Sequence, residues 1–192
     1  LRAGGRREEE ADTRDAVTAS RITAPVSIVV PAGRTDASAL QASVAALLEL
    51  AYPEFEVIVV AETAAGGAVD TLSAEWDLEA REFFFRQTLD AAAVRRIRRS
   101  QRDPRLMVVE TRSGARADLL NCGVNLARFR FVAVVPPGIT FDRTALLRAM
   151  APALADPGSV VGVGSHVERV PTGEAGGTPE RFERLQSFRD LM

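Results

Sequence analysis

The sequence predicts an α/β fold with an open, mostly parallel sheet and helices on both faces. Short apolar runs rich in β-branched residues recur along the chain, and stretches with the apolar spacing of a helix separate them. Proline, glycine and aspartate mark most of the junctions between these segments. Buried strands that alternate with helices build parallel crossover units, so the centre of the sheet is predicted to be parallel.

The first strand is predicted at Val26–Val30 and ends at Pro31. Asp36 then caps a helix that runs toward Tyr52 and has apolar residues at one helical spacing. The second strand is predicted at Glu56–Val60. A strand, a helix and a strand joined in this way form a right-handed parallel unit.

The stretch 61–105 is the least regular and contains a predicted helix at Val69–Trp76, an aromatic run and then a strongly basic run. The remaining predicted elements are a strand at Leu106–Val109, a helix at Ala117–Ala127, a strand at Phe129–Val135, a helix capped by Asp142, and a last strand at Ser159–Gly164.

The composition of the chain excludes some classes of function. The chain of 192 residues suits one domain with a sizeable core, and a formal charge of −2 gives no reason to expect nucleic acid as a partner. All 24 basic residues are arginine. A single cysteine, Cys122, cannot form an internal disulfide, and with the single histidine, His166, it cannot build a Cys/His zinc cluster. These features predict a reducing, cytoplasmic environment.

Three segments are predicted along the chain. Residues 1–22 mix both charge signs without an apolar period and are expected to form a mobile tail. Residues 23–170 form the α/β domain, and residues 171–192 form a Gly/Pro linker and an amphipathic helix. We expect this end to lead to an acceptor or membrane region of a longer protein, which would place the domain on the cytoplasmic face of a membrane.

In open α/β sheets, ligands bind beyond the carboxyl ends of the strands. The segments that follow the predicted strands are PAGRT, AETAAGG, ETRSGARAD and PPGITFD. Together with VSIVVPA, YPEFEVIVVAE, RSGARADLLNCGVNLAR and FVAVV, they resemble the family 2 glycosyltransferases, which have the Rossmann-like GT-A fold. The resemblance extends from Val26 to Met192 and is nearest in pattern to the processive, membrane-associated polysaccharide synthases.

This resemblance implies a nucleotide-binding site. The family has a pair of aspartates after its second strand, and here that pair is Ala61 and Glu62, so one carboxylate remains. Arg116 occupies the position of a family lysine. The nucleotide-binding residues implied by the resemblance are Pro31, Ala32, Glu62, Arg116, Asp118 and Asn121.

The family's metal site is altered. Its Asp-x-Asp motif, which holds Mg²⁺ or Mn²⁺ on the diphosphate, falls on Pro136, Pro137 and Gly138, and none of these side chains supplies an oxygen ligand. Losing a metal that contributes several kcal/mol would slow transfer by roughly two to four orders of magnitude. Asp142 is the remaining candidate metal ligand, although its place before a helix favours a capping role. Alternatively, Arg112 and Arg116 neutralise the phosphates directly.

The function implied by the resemblance is inverting transfer of a hexose from a nucleoside diphosphate sugar, with UDP as the expected nucleotide, to a glycan acceptor. The region where the family keeps its catalytic base is not in the sequence, so no catalytic residue is assigned. One alternative is a catalytically inactive pseudo-glycosyltransferase that serves as a nucleotide-binding or scaffold module. Another is an interaction domain that uses the arginines of 95–105 on anionic lipid or polymer, although such a stretch is more typical of a solvated basic face balanced by nearby acids.

Overall fold

A computed structural model describes residues 23–63, 66–112, 114–156 and 158–164. The predicted tail 1–22, the predicted segment 171–192 and His166 lie outside these residues. The described residues belong to two compact units, of which Thr23–Thr144 contains the whole sheet. The second unit includes the helix Ala145–Ala155.

The structure is α/β, as predicted. Its strands are β1 (Val26–Gly33), β2 (Phe55–Glu62), β3 (Leu78–Ala80), β4 (Val94–Ser100), β5 (Leu106–Thr111) and β6 (Phe131–Val134). Its helices are α1 (Ala37–Leu48), α2 (Gly66–Trp76), α3 (Arg116–Leu126) and α4 (Ala145–Ala155). No helix in the described ranges has both the length and the apolar character needed to cross a membrane.

The strands form one six-stranded sheet in the order β3-β4-β5-β2-β1-β6. The central strands β5, β2, β1 and β6 run parallel, whereas β3 and β4 are antiparallel to their neighbours. The first crossovers lead from β1 to β2 and on toward β5, and the chain then returns to the other side of β1 as β6. The point where the direction of winding reverses therefore lies between β1 and β6.

Helices cover both faces of the sheet. Neighbouring residues of a strand point to opposite faces, and Ile97 and Arg98 of β4 show which helix lies on each face. Ile97 belongs to the apolar cluster that includes Leu119 and Cys122 of α3, whereas Arg98 donates a hydrogen bond of 2.7 Å to Ser73 Oγ of α2. Helix α1 packs beside α2, where Gln41 Nε2 donates to Glu75 at 2.8 Å.

The close packing of α3 on the sheet depends on Gly123. A Cβ atom at this position would overlap the Val29 side chain of β1. Both residues are buried, and α3 makes its contacts mainly with β1 and β2. The missing side chain therefore sets how near the helix backbone can lie to the sheet.

A segment without regular structure, Arg81–Ala93, covers the sheet beside α3. Phe83 and Phe85 pack against the apolar cluster below α3, whereas Phe84 between them is 96% exposed. Asn125 of α3 holds this segment: its Oδ1 accepts from the backbone N–H groups of Thr88 and Leu89 at 3.0 and 2.9 Å. Its Nδ2 donates to the Leu89 carbonyl at 2.8 Å.

Asp36 caps α1 as predicted. Its carboxylate accepts hydrogen bonds from the backbone N–H groups of Ser38 and Ala39 and from the Ser38 hydroxyl. The Ser38 hydroxyl is the main cause of the lowered pKa of Asp36, and the Ala39 N–H group adds to it. The helix ends at Leu48, earlier than predicted.

Two predictions about strands were wrong, and two strands were missed. Pro31 does not end β1, because the strand continues to Gly33 through a bulge between the two residues. The predicted strand Ser159–Gly164 is not a strand; Ser159 and Val160 donate instead to the Asp156 carbonyl in a turn after α4. A β-branched run makes a strand only where a neighbouring strand accepts its hydrogen bonds. Strands β3 and β4 were not predicted.

Candidate functional site

The candidate site lies at the carboxyl edge, which we define as the end of the sheet where β1, β2, β5 and β6 terminate. Ligands of open α/β sheets bind at this end. Because β4 is antiparallel to β5 and pairs Val94 with Thr111, the first residues of β4 also lie at this edge. The carboxyl edge thus brings together the loops after four strands and the beginning of a fifth.

Glu62, the last residue of β2, connects three of these segments. Its Oε2 lies 3.8 Å from Arg34 Nε in the loop after β1, and its side chain fills the space next to Gly114 before α3. A Cβ atom at Gly114 would overlap Glu62 Oε2. The Glu62 side chain is 19% exposed, whereas the Arg34 side chain is 88% exposed. The carboxylate is therefore largely enclosed by the protein, and the guanidinium is open to solvent.

Pro31 and Ala32 contribute to the edge through the backbone. Both residues are buried in β1, and Ala32 is unpaired in the bulge. The Ala32 carbonyl accepts hydrogen bonds from the N–H and hydroxyl groups of Thr35. Gly33 has a φ of +50°, a conformation that favours glycine, and this turns the chain sharply toward α1. Bulges of this kind are frequent beside active sites.

Arg116 and Asp118 lie in the first turn of α3, directly after the loop that contacts Glu62. Arg116 is exposed and Asp118 is half-buried. Ala115 at the N-cap offers no side-chain cap to the helix. The structure therefore places Arg116 and Asp118 at the same edge as Glu62, Pro31 and Ala32.

Asn121 has a different environment from the other predicted site residues. It lies in the second turn of α3, where its Nδ2 donates to the Asp90 carbonyl at 2.7 Å. Together with Asn125, one turn further along, it attaches the Arg81–Ala93 segment to the helix. Its hydrogen bond serves the packing of this segment, so the structure assigns it a local structural contact.

The Pro136–Gly138 segment, where the sequence resemblance would put a metal motif, contacts α1. The Gly138 N–H group donates to Ser43 Oγ at 2.7 Å, and Ser43 Oγ in turn donates to the Ala39 carbonyl at 2.9 Å. Gly138 has a φ of +85°. Ser43 is 1% exposed, so this contact ties the loop after β6 to the helix after β1 across the point where the sheet winding reverses.

Asp142 is engaged in a turn. Its Oδ1 accepts from the N–H group of Thr144 at 2.8 Å and from the Thr144 hydroxyl at 2.6 Å. This geometry is that of a local cap, the role that its sequence position favoured. Within the described ranges, no three His, Cys, Asp or Glu side chains are grouped closely enough to hold a metal ion.

Sequence reasoning did not place the start of β4 at the site. A bulge between Val94 and Arg96 leaves Arg95 without a partner on β5, and both arginines are exposed. Arg112, also exposed, follows β5, and its N–H group donates to the Ala93 carbonyl at 3.2 Å. We call the following residues the edge arginines: Arg34, Arg95, Arg96, Arg112 and Arg116.

Three of the other arginines of 95–105 lie beside acidic or aromatic side chains. Arg98 pairs with Glu110 at 2.9 Å, and Arg105 pairs with Asp103 at 2.7 Å. The guanidinium of Arg99 lies 5.9 Å from the centre of the Phe83 ring. Arg98, Arg99 and Arg105 therefore each have an acidic or aromatic neighbour, whereas Arg102 is exposed.

The carboxyl edge thus combines the exposed edge arginines with the carboxylates of Glu62 and Asp118. Comparison of the chain with protein-family models, with curated proteins and with solved structures found no match.

Proposed function

We propose that the chain is a nucleotide-sugar-binding domain of the GT-A type, related to the family 2 glycosyltransferases, and that it binds a nucleoside diphosphate sugar at the carboxyl edge. UDP is the expected nucleotide. The observation that supports this proposal is the position of Glu62, which lies between the loop after β1 and the loop before α3. This residue is the one that the sequence resemblance assigns to the nucleoside.

The chemistry of Glu62 suits this role. An ionised carboxylate accepts hydrogen bonds only, as ribose hydroxyls and the N–H group of a uracil ring require. Contact with Gly114 holds its side chain at the edge. Its pairing with Arg34 is weak because Arg34 is exposed and the separation is 3.8 Å, so a ligand can replace the arginine at little cost.

The charge of the edge suits the diphosphate. The edge arginines lie at the same end of the sheet as this carboxylate, whereas the neighbouring acids Asp36 and Glu110 are engaged by the α1 backbone and by Arg98. A nucleoside end directed to Glu62 and a diphosphate directed to Arg112 and Arg116 would satisfy both kinds of group.

Binding, and not sugar transfer, is the activity that the described residues support best. Inverting transfer requires a base for the acceptor hydroxyl and a charge partner for the departing diphosphate. Two candidates share this binding site: an active glycosyltransferase and a catalytically inactive pseudo-glycosyltransferase. The contact of Gly138 with Ser43 and the two prolines beside it favour the inactive candidate, because none of these three residues supplies an oxygen-bearing side chain to a metal. In either case, the first property to measure is nucleotide affinity.

The test is calorimetric titration with UDP, UDP-glucose and ADP. Glu62→Gln keeps the shape of the side chain but makes it a donor as well as an acceptor, so we expect about tenfold weaker binding of UDP. Glu82→Gln, at an exposed position in the Arg81–Ala93 segment, is the matched control and should bind UDP as the unmodified protein does. Equal UDP affinity of Glu62→Gln and the unmodified protein, or no binding of UDP, would contradict the proposal.

A second measurement separates the two candidates. The domain is incubated with UDP-glucose and a glucan oligosaccharide, and released UDP is measured. Release that depends on the oligosaccharide supports transfer. UDP-glucose binding without any release supports the pseudo-glycosyltransferase.

A further inference from the structure

We propose that Arg112 and Arg116, assisted by Arg34, form a diphosphate-binding site that requires no divalent cation. The inference rests on the proposed function for the identity of the natural ligand, but the diphosphate chemistry can be tested independently. It names the groups that neutralise the ligand at the carboxyl edge.

The location of these arginines is the first argument. Arg112 directly follows β5, Arg116 begins α3, and Arg34 lies in the loop after β1. Each is attached to a fixed element: the Arg112 N–H group bonds to the Ala93 carbonyl, and Arg34 follows the tight turn at Gly33. Their side chains are exposed, so they can turn toward a ligand at this edge.

The charge balance is the second argument. The acids at this edge are Glu62, which lies 3.8 Å from Arg34, and Asp118 in the first turn of α3. Glu110, the neighbour of Thr111 at the end of β5, is already paired with Arg98 at 2.9 Å. The bulge at Arg95 adds two more exposed cations, Arg95 and Arg96, at the same edge. The edge thus has surplus positive charge that a diphosphate would neutralise.

The chemistry of arginine is the third argument. A guanidinium presents several N–H donors in a planar fork that matches two phosphate oxygens at once. A divalent cation supplies the same charge as two guanidinium groups but needs oxygen ligands from the protein. At the loop after β6, Gly138 contributes its N–H group to Ser43 and the prolines contribute no oxygen-bearing side chain. In this inference, Arg112 and Arg116 supply the positive charge that a divalent cation would otherwise bring to the diphosphate.

The experiment titrates the domain with inorganic pyrophosphate and with UDP, first in EDTA and then in Mn²⁺. We expect both ligands to bind in EDTA and Mn²⁺ to strengthen binding less than twofold. Arg112→Ala and Arg116→Ala should each weaken pyrophosphate binding about tenfold, since each removes a charge-assisted hydrogen bond. The slope of log affinity against log salt should also become smaller in each variant.

The matched control is Arg102→Ala. Arg102 is exposed in the turn after β4, at the end of the sheet opposite to the carboxyl edge. The Arg102→Ala variant should therefore bind pyrophosphate as tightly as the unmodified protein. Thermal unfolding of each variant verifies that the fold is retained. An affinity loss in Arg102→Ala equal to that in Arg112→Ala would show nonspecific charge attraction and overturn the inference.

The outcomes distinguish this inference from the proposed function. If UDP binds only with Mn²⁺ and Glu62→Gln weakens it, the nucleotide site stands and the cation-free site is wrong. If pyrophosphate binds in EDTA through Arg112 and Arg116 but UDP binds no better than pyrophosphate, the cation-free site stands and the nucleotide proposal is wrong. If neither ligand binds under either condition, both are wrong.

Discussion

The guanidinium of Arg98 lies 2.9 Å from the carboxylate of Glu110, and the two side chains are only 14% and 11% exposed. They come from adjacent strands, β4 and β5, and Arg98 also donates to Ser73 of α2. The pair therefore joins the antiparallel strands to the parallel sheet and to a helix. Because the pair is largely shielded from water, the loss of one partner should lower the stability of the domain more than the loss of one partner of an exposed pair.

We expect Arg98→Ala to destabilise the domain by about 3 kcal/mol, because it leaves the Glu110 charge without its partner in a region of low solvent access. Chemical denaturation measures this change. The double variant Arg98→Met, Glu110→Leu should recover most of the loss, since no charge is then left unpaired. A double variant as unstable as the single one would contradict the electrostatic account.

Gly123→Ala should destabilise the domain by about 1–3 kcal/mol, because the added methyl group overlaps Val29 in a close-packed interface. Val29→Ala removes the overlapping atoms, so the combination of the two substitutions should cost less than the sum of their separate effects. A double-mutant cycle by denaturant unfolding measures this coupling. Strict additivity would mean that helix α3 does not pack on Val29 as described.

Asn125→Ala should release the Arg81–Ala93 segment from α3, because it removes hydrogen bonds to Thr88 and Leu89. Arg86 within this segment is exposed and offers a trypsin site. Limited proteolysis followed by mass spectrometry should show faster cleavage after Arg86 in the variant. Cleavage after Arg102, outside the segment, is the internal reference and should keep its rate.

The single tyrosine provides a pH test. Burial raises the pKa of Tyr52 to about 12, against a usual value of 10.0. Its hydroxyl donates to the Ala24 carbonyl at 2.6 Å. Because the folded state holds this proton more tightly than the unfolded chain, the stability contributed by Tyr52 is complete below pH 10 and is lost as pH rises toward 12.

Ultraviolet absorbance of the phenolate measures this titration directly, since the sequence contains one tyrosine. The folded protein should ionise near pH 12, and the protein in denaturant near pH 10. The Tyr52→Phe variant lacks the group and should show a smaller loss of stability over this pH range. A folded-state midpoint near pH 10 would show that Tyr52 is not buried.

The parallel centre of the sheet could be predicted because its strands are buried on both faces. Runs such as Val57–Val60 and Leu106–Val109 are apolar at every position, which few other structures require. Strand β4 gave no such signal, since Arg98 and Arg99 occupy positions where an apolar residue is usual. Their charges are accommodated by Glu110 and by the Phe83 ring, partners that are distant in sequence.

The candidate site could be predicted only in part, for a related reason. Glu62, Arg116 and Asp118 follow elements that were predicted, so their shared edge was expected from the topology. The approach of Arg34 to Glu62 depends on the turn at Gly33, and the arginines of β4 reach the edge through an unpredicted strand. The contact of Asn121 with Asp90 depends on an irregular segment whose path no periodic pattern specifies.

The edge arginines have a consequence for control of the site in the cell. Acetylation, which neutralises lysine, has no target in a sequence without lysine. If the carboxyl edge binds a diphosphate as proposed, this modification cannot weaken the binding. The ionic strength and the concentration of competing phosphates would then set the occupancy of the edge.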